Sequence, residues 1–371
     1  MNKEKKKIGV ITLQNVRNYG SVLQALATQE IFGKLGYEAW FYDYYRKEMR
    51  GGSFSRARSY TKNSGIVSKI AKTALLVPTF YRQDRIFGHF LKRHLNTIEG
   101  KVTSEEEFKR LGFEADVYCT GSDQTWNSGW NSGILHELFL SFVPEGKRCI
   151  AYAASFGKNQ LEEWEKNETK ELLEKYSAIS VREKSAVDII KDLNIPVSAT
   201  HVLDPTLQVD SNFWRKLSHP VKYKNYCLLY QLNHNREFDK WASEIAHKQG
   251  LKLIRWCNRY DQLRLPADIK LAVPGVEDFI SMIDHADLVL TDSFHCTAFS
   301  TNLNKQFLSV YPDEYSSRLA SLLKLVGLEY RHVSNLNDYN IGCKKIDFAP
   351  VNDILDTERQ KAFDFLKKAL S

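Results

Sequence analysis

At 371 residues the chain is too long for one ordinary small domain and long enough for two α/β domains, each with its own core. Its composition is that of a globular protein rich in aromatics, and no run of about 18 apolar residues exists, which excludes a bilayer-spanning helix. The formal charge of +7 is local: residues 46–95 hold 12 Lys/Arg against 2 Asp/Glu, a net of +10, whereas the remainder nets −3.

The N-terminus, Met1 to Lys7, is basic, but Ile8 to Leu13 is too short for a signal-peptide core and lacks a cleavage site, so the expected location is the cytosol. "KIGVITL" (Lys7–Leu13) predicts an apolar strand. "YGSVLQALATQEIFGKLG" (Tyr19–Gly36) predicts a helix stopped by its final glycine, and "EAWFYDY" (Glu38–Tyr44) a second strand. That βαβ order opens a parallel sheet.

The basic segment follows. It carries Phe54, Tyr60, Phe80, Tyr81, Phe87 and Phe90, and the stretch "GIVSKIAKTALLV" (Gly65–Val77) has helical apolar spacing. Such an element either rests on anionic lipid or a phosphorylated ligand, or packs on its own domain with its lysines in water. No nucleic-acid-binding motif accompanies it, so nucleic acid is not an expected partner.

Further strands are expected at Ala115–Gly121, Arg148–Ser155 and Ala178–Val181, with a helix over Glu183–Leu193. "VLDPTL" (Val202–Leu207) reads as a crossover between domains. Alternation then restarts with strands at Tyr226–Leu232, Leu251–Cys257, Ile269–Val273, Asp287–Thr291 and Gln306–Tyr311. Helices are expected at Phe238–Gln249, Val276–His285, after His295, and at Ser317–Val326. A last helix, about Asp356 to Leu370, has the spacing of a docked terminal element.

The expected fold is therefore α/β: two Rossmann-like, doubly wound domains facing across a cleft. The first spans 1–203 with the basic insertion at 46–95, the second 204–355, and the terminal helix 356–371. The six cysteines (Cys119, Cys149, Cys227, Cys257, Cys296 and Cys343) form no C-x-x-C pair and are expected as buried reduced thiols. No clustered ligand spacing calls for a metal.

In such sheets ligands bind beyond the carboxyl ends of strands, which selects the loops to inspect. "QNVRNYGS" (Gln14–Ser21) has one glycine, so it is neither a dinucleotide fingerprint nor a P-loop. It leads into a helix whose amides can hold an anion or sugar hydroxyl, or is a turn capped by Asn18 or Ser21. In "TGSDQTWN" (Thr120–Asn127), Gly121 permits close approach, Asp123 accepts from hydroxyls and Trp126 offers a flat face to a sugar. The same residues also make an Asx turn with a packed indole. Arg182 opens a helix as a salt-bridged residue or as a fork for carboxylate or phosphate.

"LTDSFHCTAFS" (Leu290–Ser300) places Asp292 as the expected helix N-cap and His295 near the third helical position, where an imidazole can act as general acid or base. Ser316 and Ser317 are expected helix-start caps in "YPDEYSSRLASLL", leaving Arg318 as a second cationic clamp.

Together, "ITLQNVRNYGSVLQA", "TGSDQTWN", "AASFG", "ISVREKSA", "DPTL" and "TDSFHCTAFSTNLNKQFLSV" resemble the polysaccharide pyruvyl transferase family in order and spacing, from about Ile8 to Leu325. The resemblance implies a GT-B-like fold and transfer of the enolpyruvyl-derived group of phosphoenolpyruvate onto two sugar hydroxyls as a cyclic ketal. It implies no cofactor beyond that donor substrate. It assigns proton transfer to His295 and a donor-binding role to Arg182. On the residues' own chemistry Asp292, beside the histidine, is expected to join catalysis, and Ser293 and Arg318 to complete the donor side. The acceptor side falls to Asn15, Arg17, Asn18, Tyr19, Asp123, Gln124 and Trp126.

Better-known members read Arg-Leu-His where this chain reads Ser293-Phe294-His295. They carry a lysine where this chain has "YPDE", a charge that Arg318 is placed to supply. The family's role in surface polysaccharide assembly, with the +10 segment, implies a lipid-linked acceptor and peripheral contact with the inner face of the membrane. Oligomeric assembly is compatible with this reading. Two alternatives are a nucleotide-sugar-dependent GT-B glycosyltransferase and a saccharide-binding relative without catalysis.

Overall fold

The computed structural model describes residues 5–46, 49, 51–61, 65–312, 317–341 and 344–371. Cys343, Ser316 and the acidic pair of "YPDE" lie outside them. The chain divides into two compact units, Met1–Lys47 with Leu91–Val209 and Ile354–Ser371, and Glu48–Phe90 with Asp210–Asp353.

The first unit is built on a parallel sheet of β1 (Lys7–Ile11), β2 (Glu38–Tyr44), β3 (Thr97–Val102), β4 (Val117–Thr120), β5 (Arg148–Ala154), β6 (Tyr176–Val181) and β7 (Ala199–His201). Their spatial order is β3-β2-β1-β4-β5-β6-β7. The central strands are near-continuous apolar runs because both faces are covered: β4 is buried throughout, and β1 and β5 are buried after their first residue. One of the core clusters in this sheet includes Trp126, which stacks on Phe139 and touches Phe156 and Tyr176.

The second unit carries β8 (Tyr226–Tyr230), β9 (Lys252–Cys257), β10 (Ile269–Ala272), β11 (Leu288–Thr291) and β12 (Phe307–Ser309) in the parallel order β10-β9-β8-β11-β12. A core cluster on this sheet includes Leu229, Trp241, Ile245, Leu253 and Leu290.

Both orders reverse direction once, between β1 and β4 and between β8 and β11. These reversals are the topological switch points at which doubly wound sheets open a crevice beyond their carboxyl ends. The fold is thus the expected pair of α/β, Rossmann-like sheets.

Chain order suggested that the basic segment belongs to the first domain; residues 48–90 instead group with the second unit. Two helices, Ser53–Tyr60 and Ile66–His94, form this segment around Ala57, Leu76 and Phe80. Polar contacts tie it to loops of the second sheet. Thr79 Oγ accepts from the Tyr260 amide (3.1 Å), Arg82 Nε donates to the Val273 carbonyl (2.9 Å), and Gln83 donates to the Asn258 carbonyl (2.9 Å).

The expected crossover at 203/204 also moves. Asp204 N-caps the short helix Pro205–Gln208, and its carboxylate returns to Arg182, so the first unit extends to Val209.

The terminal helix starts earlier than expected, at Ala349, and runs to Leu370. Its later part packs in the first unit through Ala362 and Leu366, with Arg359 Nε donating to the Leu207 carbonyl (2.8 Å). Cys119, Cys149, Cys227, Cys257 and Cys296 are buried and free. Among the described residues no helix is long and apolar enough to cross a membrane.

Candidate functional site

At the first switch point the loops after β1 and β4 are locked to each other. Gly121 follows β4 where a Cβ would meet Thr12 Cβ at 3.1 Å and Val10 Cγ1 at 3.2 Å. Its bare backbone therefore serves close approach to β1, a contact within the sheet. Thr12 Oγ donates to the Ser122 carbonyl (2.5 Å), and Ser21 Oγ donates to Asp123.

Asp123 sits in the left-handed region at φ 81, a conformation Asp tolerates better than most residues. Its carboxylate also accepts from the Gln124 amide (2.8 Å) and from Arg182 Nη2 (3.3 Å). The expected hydroxyl acceptor is thus filled by protein donors.

Arg182 was expected as a donor-side cation. Its side chain is fully buried, with Nη1 2.6 Å from Asp204 Oδ2 and Nη2 3.3 Å from Asp123 Oδ1. Burial opposes its charge, yet Asp204, Asp123 and Glu183 hold it above its ordinary pKa. Such a pair adds little net stability but is costly to break.

The neighbouring Glu183, also fully buried, accepts at Oε1 from Ser155 Oγ (2.9 Å) and from the amides of Phe156 (2.9 Å) and Gly157 (3.0 Å). Adjacent residues of opposite charge therefore pin three loops. At Gly157, φ is +61 and a Cβ would meet Gln124 Oε1 at 2.5 Å, so this packing requires glycine.

The remaining first-unit residues divide by exposure. Asn15 is buried and donates through Nδ2 to Asp43 (2.9 Å) and the Tyr44 carbonyl (3.0 Å). Tyr19 is buried, and Gln124 Oε1 accepts from Asn127 Nδ2 (2.6 Å). Trp126, expected as a sugar platform, is 2% exposed, and its Nε1 donates to the Leu138 carbonyl (3.3 Å). Its aromatic neighbours claim the ring, so the packed-indole reading holds. Arg17 and Asn18 stay half exposed. Asn18 caps the helix Tyr19–Lys34 by accepting from the Gly20 amide (2.9 Å), while Arg17 donates to the Asn15 carbonyl (2.8 Å).

At the second switch point the loops after β8 and β11 are joined by Asp292. It does not cap the helix. Its carboxylate accepts from the amides of Leu232 (2.7 Å) and Asn233 (2.8 Å) and from Asn233 Nδ2 (3.2 Å). Burial pushes this carboxyl above its usual range against the pull of those donors.

The cap is Ser293, whose Oγ accepts from the Cys296 amide (3.4 Å) and whose own amide donates to Thr291 Oγ (3.0 Å). The serine expected on the donor side is engaged in starting the helix Phe294–Asn302. His295 therefore stands at the second helical position rather than near the third, 7% exposed, with its ring 5.2 Å from that of Phe294. Arg318, in the first turn of the helix Ser317–Leu325, places its guanidinium 5.6 Å from the Phe294 ring centre.

The second unit thus gathers Asp292, Ser293, His295 and Arg318 around one helix start, where helix amides favour negative charge. The burial of Cys296 pushes its thiol up to about 12, which removes it as a nucleophile near neutral pH. Sequence reasoning missed Glu183, Asp204 and Asn233 as organising residues, and took Ser21 as an alternative helix cap, whereas Asn18 caps and Ser21 binds Asp123. "VREK" and "DPTL" held two of these signals, since each puts a charge directly at a strand end or helix start. Among the described residues no group of three or more His, Cys, Asp or Glu is placed to hold a metal.

Comparison with known proteins agrees with this architecture. The family model described as "Polysaccharide pyruvyl transferase" matches residues 18–314. No curated protein matches the sequence. Among solved structures, UDP-GlcNAc 2-epimerase from Neisseria meningitidis bound to UDP-GlcNAc is similar at a TM-score of 0.52 and 8% identity, covering 98% of this chain and 99% of that one. The S. aureus MnaA-UDP co-structure is similar at 0.50 and 10% identity, covering 97% and 90%. At such identities the likeness concerns the fold.

Proposed function

The chain belongs to the polysaccharide pyruvyl transferase family, and on that premise we propose that it uses phosphoenolpyruvate to build a pyruvate ketal on a lipid-linked oligosaccharide during assembly of a bacterial surface polysaccharide such as a capsule or exopolysaccharide. The observation that carries this reading is His295 at the second position of a helix beginning at a switch point, one ring away from Arg318.

The reaction needs a proton donor at C3 of phosphoenolpyruvate, cations for carboxylate and phosphate, and a base for each attacking hydroxyl. His295 supplies the proton that turns the methylene into a methyl group, leaving C2 electron-poor. One sugar oxygen bonds to C2 and its proton restores His295, the bond from C2 to the phosphate oxygen breaks, and the second sugar oxygen bonds to C2. Phosphate leaves with the remaining proton. Arg318 and the helix amides offset the donor's negative charge.

Asp292 acts by holding the loop at Leu232 and Asn233 against this helix, as a positioning residue. In the first unit, Arg17 and Asn18 are assigned to the acceptor. Asp123, through Ser21, and Arg182, through Asp123, brace the segment that presents them, while Gln124 shapes its own loop through Asn127.

The test is direct binding, by calorimetry, of phosphoenolpyruvate against UDP- and GDP-sugars. Phosphoenolpyruvate is expected to bind and the nucleotide sugars not. The reverse preference would replace this reading with a glycosyltransferase.

A further inference from the structure

We propose that the hairpin formed by the helices Ser53–Tyr60 and Ile66–His94 is a docking surface for a bilayer of anionic phospholipid, with the apolar groove between its helices taking up the acyl region. The inference deepens the reading of a lipid-linked acceptor and takes its purpose from it.

Three observations meet in this hairpin. A groove of about 680 Å³ is lined by Phe54, Arg58, Ile70, Ala74, Val77 and Pro78, among others, and its wall is almost wholly apolar. Ile70, Ala74, Val77 and Pro78 follow helical spacing on the longer helix, while Phe54 and Arg58 lie one turn apart on the shorter one.

Exposed large hydrophobic residues are also concentrated here. Of nine among the described residues, Phe54 (64%), Tyr60 (61%), Ile70 (68%), Leu75 (48%) and Tyr81 (60%) all lie in this hairpin. A soluble surface rarely gathers such a patch without an occupant.

The third observation is charge. Residues 48–90 contain eight Lys/Arg and two Asp/Glu. Arg58, Lys72 and Arg85 are exposed, whereas Asp84 pairs with Arg56 at 2.9 Å. Apolar side chains flanked by exposed cations match the two layers of an anionic leaflet: hydrocarbon beneath, phosphate above. Arg58 suits the boundary, since its stem can line the groove while its guanidinium stays among headgroups.

The same positive charge disfavours a second copy of this surface as the occupant. Among the described residues neither helix is long and apolar enough to cross a membrane, and the proposed contact is a peripheral one.

The test is co-sedimentation of the full-length protein with vesicles rich in phosphatidylglycerol and with vesicles of pure phosphatidylcholine. Binding is expected to the anionic vesicles and to weaken with added salt. The double variant Phe54→Asp/Ile70→Asp should lower partitioning by about tenfold or more. The charge reversal Arg58→Glu/Lys72→Glu should do likewise, since each basic residue near a leaflet contributes roughly fivefold. These side chains are exposed, so the variants should keep the wild-type circular dichroism and the wild-type rate of phosphate release with a free saccharide acceptor.

Equal binding to both vesicle types, or wild-type partitioning by both variants, would overturn the proposal. So would a dimer in light scattering that Phe54→Asp/Ile70→Asp dissolves, because the groove would then serve self-association. Loss of vesicle binding with intact phosphoenolpyruvate turnover would remove this surface and leave the reaction standing. Vesicle binding without turnover would do the opposite.

Discussion

The two switch points use one device with different outcomes. In each, a carboxylate beyond the end of one strand accepts hydrogen bonds from the segment that follows its neighbour: Asp123 from Ser21, in the first turn of the helix after β1, and Asp292 from Leu232 and Asn233 in the loop after β8. In the first, a buried arginine joins the carboxylate and extends the lock to Asp204. In the second, the carboxylate's donors among the described residues are the Leu232 amide and Asn233, and the segment after Asp292 opens a helix that carries His295. The difference separates framework from chemistry. Saturated charge fixes loop shape, whereas an imidazole at a helix start has a proton to move.

Removing the first lock should have the largest effect on stability. Arg182→Met would leave Asp123 and Asp204 buried without their cation, and a loss of about 3–5 kcal/mol is expected, read as a lower denaturation midpoint. A variant of wild-type stability whose only defect is a raised KM for phosphoenolpyruvate would return Arg182 to the donor site. The second lock is neutral on its donor side and should matter less. Asp292→Ala removes the shared acceptor of the Leu232 and Asn233 amides, and since both residues are exposed and water can replace it, the expected cost is about 0.5–1.5 kcal/mol. Its turnover should fall with little change in KM, and Asp292→Asn should restore part of it. Unchanged turnover in Asp292→Ala would show that the loop after β8 does not serve the reaction.

The sequence revealed the sheets from their centres outward. β1, β4, β8 and β11 are apolar runs whose burial on both faces leaves one reading. The edge strands β3 and β7 escaped, because "TIEGKV" exposes Glu99, Gly100 and Lys101 and β7 is three half-buried residues. These two edge strands meet a neighbour on one side only and keep polar residues that read as loop, whereas β10 and β12, the edges of the second sheet, are apolar enough to be read.

Within the site, the helix start at Phe294 was legible to within one residue, and that residue mattered. Asp and Ser both cap helices, so "DS" could not say which one does; the loop after β8 decides by occupying Asp292. Arg182, Glu183 and Asp204 resemble surface charges along the chain, and only their meeting in three dimensions makes them a buried lattice. Trp126 offered the same ambiguity between a binding face and a core filler, and Phe139, Phe156 and Tyr176 resolve it.

The most direct test of the division between framework and chemistry is phosphate release from phosphoenolpyruvate by His295→Ala, measured with a competent saccharide acceptor. The expected result is a rate lowered by about 10²–10⁴-fold with the denaturation midpoint of the wild type. A folded His295→Ala protein releasing phosphate at the wild-type rate would contradict the account.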